Sequence, residues 1–366
     1  MKCRWGILST AGIARKNWEA IFHAPNAELV AVASRDEAKA QAFIDECQRE
    51  VRFPSSPMAL GGYDLLLARE DIDAVYIPLP TGMRKDWVIQ AAKAGKHVLC
   101  EKPCAVTYED LKEMTEACRK AGVQFMDGVM FMHSARLPAM REALWEDGKG
   151  IGELRRIQSH FSFCAPDDFL QENIRVSSNL EPHGCLGDLG WYTIRMTLWA
   201  LEYEEPVEVR ARFLQQFGRG DSPEPVPLEL SAELTFRNGV TAGFFNSFRT
   251  QNQQQVTFSG SEGYLHLSDF VLPFYDSELS FERTRSDFEV NGCQFNMARG
   301  RRKDTIAEYS NNHPAAQETR LFACFSELVL EGKVDPHWPD IALKTQRVMD
   351  ACYASARNEG QPIHLD

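Results

Sequence analysis

The chain has 366 residues, of which 44% are hydrophobic and 25% are charged, and its formal net charge is −12 at neutral pH. This length accommodates about two domains of ordinary size, and the composition is that of a globular protein. The acidic balance argues against nucleic acid or an anionic membrane as a partner, and no run of about 18 apolar residues could span a bilayer.

The ten cysteines are scattered, without a C-x-x-C pair. Metal centres built from soft ligands need clustered cysteines, so we expect reduced thiols and no metal. The first residues, MKCRWGILST, enter strand-like sequence at once, without the charged, apolar and cleavage regions of a signal peptide. A cytoplasmic location is therefore expected.

Residues 1–125 alternate between strand and helix patterns. Short runs rich in Val, Ile and Leu, bounded by Gly, Pro or Asp, predict the strands, and amphipathic segments between them predict helices. Such alternation indicates a parallel, doubly wound sheet of the Rossmann type. The predicted strands cover 4–8, 28–33, 74–77, 96–99 and 124–126, and the predicted helices cover 12–23, 36–48, 85–94 and 108–121.

The rhythm changes after about residue 150. Long runs alternate apolar and polar residues, and RNG at 237–239 is typical of a hairpin turn. We predict a second, α+β domain over 126–366 with a large, open, mostly antiparallel sheet, interrupted by a helix near 187–201 and closed by helices at 314–331 and 341–358. A C-terminal helix of this kind can pack back on the first domain.

The segment RWGILSTAGIARK, from Arg4 to Lys16, lies where a dinucleotide fold has its G-x-G-x-x-G turn. Ser9, Ala11 and Ala14 stand at the three glycine positions. Such a corner can still place the free N–H groups of a helix N-terminus against phosphate, but taken alone it is better read as a packed strand–helix turn without a ligand.

The end of the second strand favours a nucleotide. An NAD-selective site usually has a carboxylate there, gripping the ribose 2′-hydroxyl. Here Ser34 and Arg35 follow the strand, and Lys39 comes one turn into the next helix. A 2′-phosphate would be repelled by a carboxylate and held by serine and arginine, so the sequence predicts a preference for NADP(H) over NAD(H).

Two further motifs carry chemistry. One strand ends in CEKP, which places Lys102 at the edge of a parallel sheet where ligands bind. In GDLGWY, Asp188 and Tyr192 are four residues apart and so share a helical face. Each motif also has a plain structural reading: an exposed lysine before a proline, and an aspartate that stabilises a helix dipole beside a half-buried tyrosine.

Together these segments resemble the glucose–fructose oxidoreductase, inositol dehydrogenase and rhizopine-catabolism (Gfo/Idh/MocA) family. The resemblance extends over nearly the whole chain and rests on WGILSTAGIARK, VASRD, VYIPLPT, GKHVLCEKP, MDGVMFMHSARL, GDLGWY and WPDIALKTQRVMDACYASA. The dimeric dihydrodiol dehydrogenases and NADP-dependent D-xylose dehydrogenases form the most similar subgroup, through ENIRV and GDLGWY.

The resemblance implies that Lys102 is the catalytic lysine, Asp188 orients the substrate and Tyr192 is the acid/base. The implied reaction is the reversible oxidation of a secondary alcohol or hemiacetal of a sugar, polyol or trans-dihydrodiol, with hydride passing to nicotinamide. One departure concerns Arg84, which stands where relatives usually have histidine; it could contact cofactor phosphate, bind a substrate anion or point to solvent. The expected cofactor contacts are Ser9, Thr10, Ala11, Gly12, Ile13, Ala14, Ser34, Arg35, Lys39, Leu79, Pro80, Arg84, Glu101 and Lys102, and the substrate candidates are Met130, His133, Phe161, Arg175 and Trp191.

Two other functions stay open at this point. Some relatives hydrolyse glycosides through transient oxidation and elimination on a tightly held cofactor, and a non-catalytic sugar or nucleotide sensor could retain the fold. We also expect a homodimer or higher homo-oligomer, formed by burying an apolar face of the second sheet.

Overall fold

The first sheet has six parallel strands in the order β3-β2-β1-β4-β5-β6, in a computed structural model that describes residues 1–145, 150–311 and 313–365. This is the strand order of the doubly wound dinucleotide-binding fold, and it confirms the predicted Rossmann domain. The strands are β1 (Cys3–Leu8), β2 (Ala27–Ala33), β3 (Met58–Leu60), β4 (Ala74–Ile77), β5 (His97–Cys100) and β6 (Phe125–Asp127).

Helices cross between these strands: α1 (Gly12–His23), α2 (Glu37–Glu50), α3 (Tyr63–Leu67), α4 (Thr81–Lys93) and α5 (Tyr108–Ala121). Thr107 caps α5 by accepting a hydrogen bond from the Asp110 amide, and Gly122 ends it in a left-handed conformation. The sequence interpretation started α4 four residues late, and it missed β3 and α3, which are too short to show a period.

The second sheet has nine strands in the order β14-β13-β12-β11-β7-β10-β9-β8-β15, and all its pairings are antiparallel except that of β7 with β10. Its open, mostly antiparallel form confirms the prediction. The strands are β7 (Leu154–Ser162), β8 (Glu208–Phe217), β9 (Val226–Thr235), β10 (Thr241–Ser247), β11 (Gln253–Gly260), β12 (Tyr264–Leu267), β13 (Leu279–Asn291), β14 (Gln294–Ile306) and β15 (Ile363–His364).

Five α-helices complete the described ranges: α6 (Arg136–Trp145), α7 (Asp167–Glu172), α8 (Trp191–Ala200), α9 (Gln317–Leu330) and α10 (His337–Arg357). Trp5 of β1 packs edge-on against Phe322 of α9, with 5.0 Å between ring centroids, and donates a hydrogen bond to Ser326. A C-terminal helix therefore closes the first domain. No helix in the described ranges is both long and apolar enough to cross a membrane.

The outward face of the large sheet differs from the expectation of an apolar surface. Along its centre, Arg156 pairs with Glu233 and also contacts Gln158. On the same face, the His160 ring packs against the Phe245 ring. The alternation of apolar and polar residues is real, but the apolar positions face the helices and the polar ones face outward, as in any sheet with one covered side.

Candidate active site

A cavity of about 1030 Å³ lies where the carboxyl edge of the first sheet meets the inner face of the second. Residues from β1–α1, from the loops after β4 and β5, and from the segment before α8 all line it. Among the predicted residues, its wall includes Ala11, Gly12, Ile13, Leu79, Arg84, Glu101, Lys102, Met130, Phe161, Arg175, Asp188 and Tyr192.

Lys102, Asp188 and Arg175 form a charged cluster in the cavity wall. The Lys102 Nζ atom donates to the Asp188 Oδ1 atom at 2.8 Å and to its backbone carbonyl at 2.7 Å. Arg175 approaches the other carboxylate oxygen at 2.8 Å. Burial would raise the pKa of Asp188, but Arg175 and Lys102 outweigh it and hold that pKa well below its usual range. Asp188 is therefore a carboxylate that fixes two cations in place.

Tyr192 lies directly beneath this cluster. The Lys102 Nζ atom is 4.6 Å from the centre of the Tyr192 ring. The Tyr192 hydroxyl is 3.6 Å from the Met130 sulfur. Burial, with Glu101 and Asp188 adding to it, raises the pKa of Tyr192 well above its ordinary value. The phenol is therefore held in its neutral form.

The backbone around Lys102 is fixed by a buried hydrogen-bond chain. Asn17 donates to the Tyr76 hydroxyl, and Tyr76 donates to Glu101, both at 2.6 Å. The other Glu101 oxygen accepts the backbone N–H of Lys102 at 3.1 Å. Glu101 lines the cavity, but its side chain serves to hold Lys102.

Arg84 holds backbone segments of the site together, a role that the sequence did not suggest. It is buried rather than turned to solvent, and its guanidinium donates to the backbone carbonyls of Leu79, at 2.6 Å, and Pro103. It also donates to the Thr81 hydroxyl at 3.1 Å. Since Pro103 follows Lys102 directly, Arg84 ties the strand ends after β4 and β5 to each other.

Buried contacts with the end of β6 hold the segment that carries Asp188 in place. Asp127, at the end of β6, forms a fully buried ion pair with Arg195 of α8 at 2.7 Å and accepts the Trp191 indole N–H at 3.0 Å. Residues 186–190 form a π-helical turn that leads into α8. A Cβ on Gly187 would lie 3.3 Å from the Pro103 ring, so glycine there lets the two motifs approach closely.

The nucleotide corner tolerates its missing glycines. Ala11 has φ −63° and ψ 152°, an ordinary extended conformation, and Ala14 is buried in the core. Ser9 has φ 140°, where glycine is favoured, and its hydroxyl accepts the Ala11 N–H at 3.2 Å. No side chain caps α1, and its first turn carries no acidic residue. Its N–H groups therefore suit a phosphate.

The remaining cofactor candidates lie around this corner. Ser34 is buried and its N–H donates to the Leu60 carbonyl, while Arg35 and Lys39 are exposed. Pro80 directly precedes α4 and follows Leu79 of the cavity wall. An exposed arginine just after β2 is free to approach a ribose phosphate, and the described residues of this corner fit a nicotinamide dinucleotide.

Two substrate candidates lie elsewhere. Trp191 is fully buried on the far side of α8, and His133 stacks on Trp338 with 4.9 Å between ring centroids, outside the main cavity. Burial lowers the pKa of His133 to about 3. Met130, Phe161 and Arg175 do line the cavity, and Phe161 packs edge-on against the Tyr192 ring at 5.7 Å.

The sequence interpretation missed the cavity mouth. A row of four amides at 252–255 and the apolar segment 272–275, Leu-Pro-Phe-Tyr, both line the cavity, and Leu272, Phe274 and Tyr275 are exposed. Neither segment carries a recognisable motif, although NQQQ followed by LPFY is unusual in composition. Groups of three or more His, Cys, Asp or Glu that could hold a metal are absent from the described ranges.

This fold and cavity define a nicotinamide-dependent oxidoreductase of the Gfo/Idh/MocA type. Residues 3–129 match the model of the oxidoreductase family with an NAD-binding Rossmann fold, and residues 140–266 match that of the GFO/IDH/MocA C-terminal domain. The chain belongs to this family, as its resemblance implied.

Similar proteins extend over almost the entire chain. It is 30% identical to D-xylose 1-dehydrogenase (NADP(+)) 2 of Haloferax volcanii over 364 residues, covering 99% of both chains. It is 27% identical to mouse trans-1,2-dihydrobenzene-1,2-diol dehydrogenase, covering 86% of this chain and 87% of the relative. The solved structure of KijD10, a 3-ketoreductase from Actinomadura kijaniata in complex with NADP and TDP-benzene, is similar with a TM-score of 0.78 at 26% identity, covering 97% of this chain and 98% of that one.

Proposed function

We propose that the protein is an NADP(H)-preferring dehydrogenase/reductase that interconverts a secondary alcohol or hemiacetal and a carbonyl on a sugar, polyol or trans-dihydrodiol. The observation that carries the proposal is the convergence of Lys102, Asp188 and Tyr192 in one cavity wall at the carboxyl edge of a Rossmann sheet. Similarity to a xylose dehydrogenase and to a diol dehydrogenase supports the substrate class.

A bound nicotinamide would supply the hydride acceptor or donor, and the chain would position the substrate and move its proton. Asp188 holds the Lys102 ammonium in place through two contacts, so the ammonium can face an oxygen on the reacting carbon. The neutral Tyr192 phenol can then donate a proton to that oxygen in reduction, and it must accept one in oxidation. Its raised pKa keeps the phenol protonated, which is the state in which it can donate.

Arg35 carries the proposed preference for NADP(H). It is exposed directly after β2, and the residue before it, at the position of the usual carboxylate, is Ser34. A guanidinium binds a phosphate through paired N–H groups, whereas a ribose hydroxyl offers it little. The similar protein KijD10 was solved as a complex with NADP, which is consistent with this choice.

A substrate panel tests the proposal. Aldoses, polyols and trans-dihydrodiols are assayed with NADP+ and NAD+ separately, and the corresponding carbonyl compounds with NADPH, by absorbance at 340 nm. The variant Lys102→Met should lose turnover by at least a hundredfold while still binding NADPH. The control Lys85→Met removes a lysine of α4 that pairs with Asp110 of α5. This variant should have the turnover of the wild type.

The same assay separates the rival functions. A glycoside hydrolase would release sugar without net change at 340 nm, and a sensor would bind ligand without turnover. Near-normal rates for Lys102→Met would refute the assignment of Lys102, and a strong preference for NAD+ would refute the role of Arg35.

A further inference from the structure

The cavity of the candidate active site is lined on one side by a short apolar segment, residues 272–275, which we call the mouth segment. Its side chains Leu272, Phe274 and Tyr275 are 45%, 62% and 94% exposed. Large apolar side chains that are grouped beside a cavity and left open to solvent are typical of a surface that binds a ligand.

The mouth segment lies beyond the residues that act on the reacting atoms. The Tyr192 ring packs against Phe161 at 5.7 Å, and the Phe161 ring packs against Phe270 at 6.1 Å. Phe270 is buried, and the mouth segment begins two residues later. A ligand that reacts beside Tyr192 must therefore extend past the reacting ring to contact the mouth segment.

The backbone of the mouth segment is held in place although its side chains are exposed. The side-chain amide of Gln254 donates to the Leu272 carbonyl and accepts the Leu272 N–H at 2.6 Å. The Phe274 N–H donates to Asp269 at 2.9 Å, and Asp269 forms a buried ion pair with Arg136. The exposed rings are thus presented by a preorganised backbone, which lowers the entropic cost of binding a ligand.

The charged side chains that line the cavity are all engaged within the chain. Lys16 pairs with Glu318 at 2.5 Å, and Glu181 accepts the Thr81 hydroxyl at 2.6 Å. The partners of the other five were given above; these residues are Arg84, Glu101, Lys102, Arg175 and Asp188. The described lining therefore offers no cation without a partner.

The uncharged polar groups near the mouth segment are in the opposite situation. Within the described part of the chain, the side chains of Asn252, Gln253 and Ser268 and the Tyr275 hydroxyl have no hydrogen-bond partner. These groups can both donate and accept hydrogen bonds. The mouth thus combines aromatic surface with neutral hydrogen-bonding groups.

We propose that the substrate is a neutral disaccharide or longer glycoside, in which one sugar ring reacts beside Tyr192 and a second sugar ring binds at the mouth segment. The C–H face of a sugar ring packs on aromatic side chains such as Phe274 and Tyr275, and its hydroxyls fit the free amides and hydroxyls around them. The inference rests on the proposed dehydrogenase function and narrows its substrate class.

Two other extended substrates fit the mouth less well. A nucleotide sugar carries a diphosphate, which is bound in proteins by available cationic side chains, and the described lining has every cation already paired. An aryl glycoside could stack on Phe274 and Tyr275, but its ring has no hydroxyls for Asn252, Gln253 and Ser268. A second sugar ring uses both kinds of group.

Kinetics with matched substrates give the first test. D-xylose is compared with xylobiose, and D-glucose with cellobiose, maltose, phenyl glucoside and dTDP-glucose, each with NADP+ at 340 nm. At least one disaccharide should exceed its monosaccharide by tenfold or more in kcat/KM, which is within what one aromatic contact and two hydrogen bonds contribute. Phenyl glucoside and dTDP-glucose should fall below that disaccharide.

Variants at the mouth give the second test. Phe274→Ser/Tyr275→Ser should reduce the ratio of kcat/KM for the disaccharide over the monosaccharide by at least fivefold, mainly through KM. The matched control is Phe288→Ser/Phe295→Ser on the hairpin of β13 and β14, where the two rings are 60% and 68% exposed and do not line the cavity. This control should keep the wild-type ratio. Circular dichroism and NADPH binding verify that each variant is folded.

Calorimetry separates this inference from the proposed function. Binding of each sugar to the NADPH-loaded wild type needs no turnover, and the disaccharide should bind at least tenfold more tightly than its monosaccharide. An absence of turnover with every sugar would refute the proposed dehydrogenase, and calorimetry would still test the mouth.

Each of three results would overturn the inference. The first is equal or better use and binding of the monosaccharide in every matched pair. The second is a preference for dTDP-glucose or phenyl glucoside over both disaccharides of glucose. The third is a mouth variant that keeps the wild-type ratio.

Discussion

Arg84 offers a sharp test of how the active-site backbone is held. The change Arg84→Met removes the donor that reaches the carbonyls of Leu79 and Pro103 and the Thr81 hydroxyl. Leaving a buried acceptor without its partner costs about 1–3 kcal/mol, so the free energy of unfolding should fall by roughly 2–6 kcal/mol for two carbonyls. Because Pro103 follows Lys102, we also expect the lysine to be misplaced. A displacement of about 1 Å can reduce turnover on the order of a hundredfold.

The assay combines turnover at 340 nm, NADPH binding by fluorescence and unfolding in urea. For Arg84→Met, kcat should fall while the Kd for NADPH changes less than about threefold. Arg84→Lys keeps the charge but cannot reproduce the planar arrangement of N–H donors, so its kcat should lie between those of the wild type and Arg84→Met. A weakened NADPH affinity with unchanged kcat would show that Arg84 acts on the cofactor, and the positioning role would then be refuted.

Four further outcomes are expected. Arg35→Asp should reverse the cofactor preference by at least tenfold in kcat/KM for NADP+ against NAD+, because a carboxylate repels the 2′-phosphate; unchanged selectivity would contradict this. Asp127→Asn should cost about 3–5 kcal/mol in urea unfolding since it leaves a buried guanidinium unpaired, whereas Glu153→Gln, which breaks an exposed pair of similar length, should cost less than about 1 kcal/mol. The pKa of His133 is lowered to about 3, so below pH 6.5 the unfolded chain binds a proton that the folded chain does not, and the free energy of unfolding falls. His133→Gln should reduce this loss of stability between pH 7 and pH 4 while leaving kcat within twofold. An unaltered dependence of stability on pH would refute the assignment. Ser9→Gly should be more stable than Ser9→Ala by about 1 kcal/mol, the reverse of the usual order, because only glycine accepts φ 140° without strain; equal stabilities would show that the strain is absent.

The alternating domain could be predicted because its strands are buried runs separated by amphipathic helices of ordinary length. β3, with three residues, and α3, with five, carry too few positions to show either period. The hairpin of β13 and β14 was missed for another reason. Its strands alternate, and Asn291-Gly292 is a hairpin signal, but charged residues on both strands hide the apolar positions among them.

For the candidate site, what could be predicted depended on the direction in which each side chain points. The place of Lys102 in the cavity wall could be predicted from its position at a strand end, and the common face of Asp188 and Tyr192 from their spacing. Trp191 precedes Tyr192 by one residue, which is about 100° around a helix, so it faces the core where its indole reaches Asp127. Sequence proximity to a functional residue is therefore poor evidence for a shared role on a helix.

The ion pair Asp127–Arg195 shows why the CEKP motif and the GDLGWY motif must be considered as one structure. Asp127 ends the last strand of the Rossmann sheet, and Arg195 lies on the helix that carries Tyr192. The pair is fully buried, so neither member can leave without exposing the other charge to an apolar core. It thereby fixes the helix of Tyr192 relative to the sheet that presents Lys102. The contact between Lys102 and the Tyr192 ring at 4.6 Å thus depends on residues that never touch the cavity.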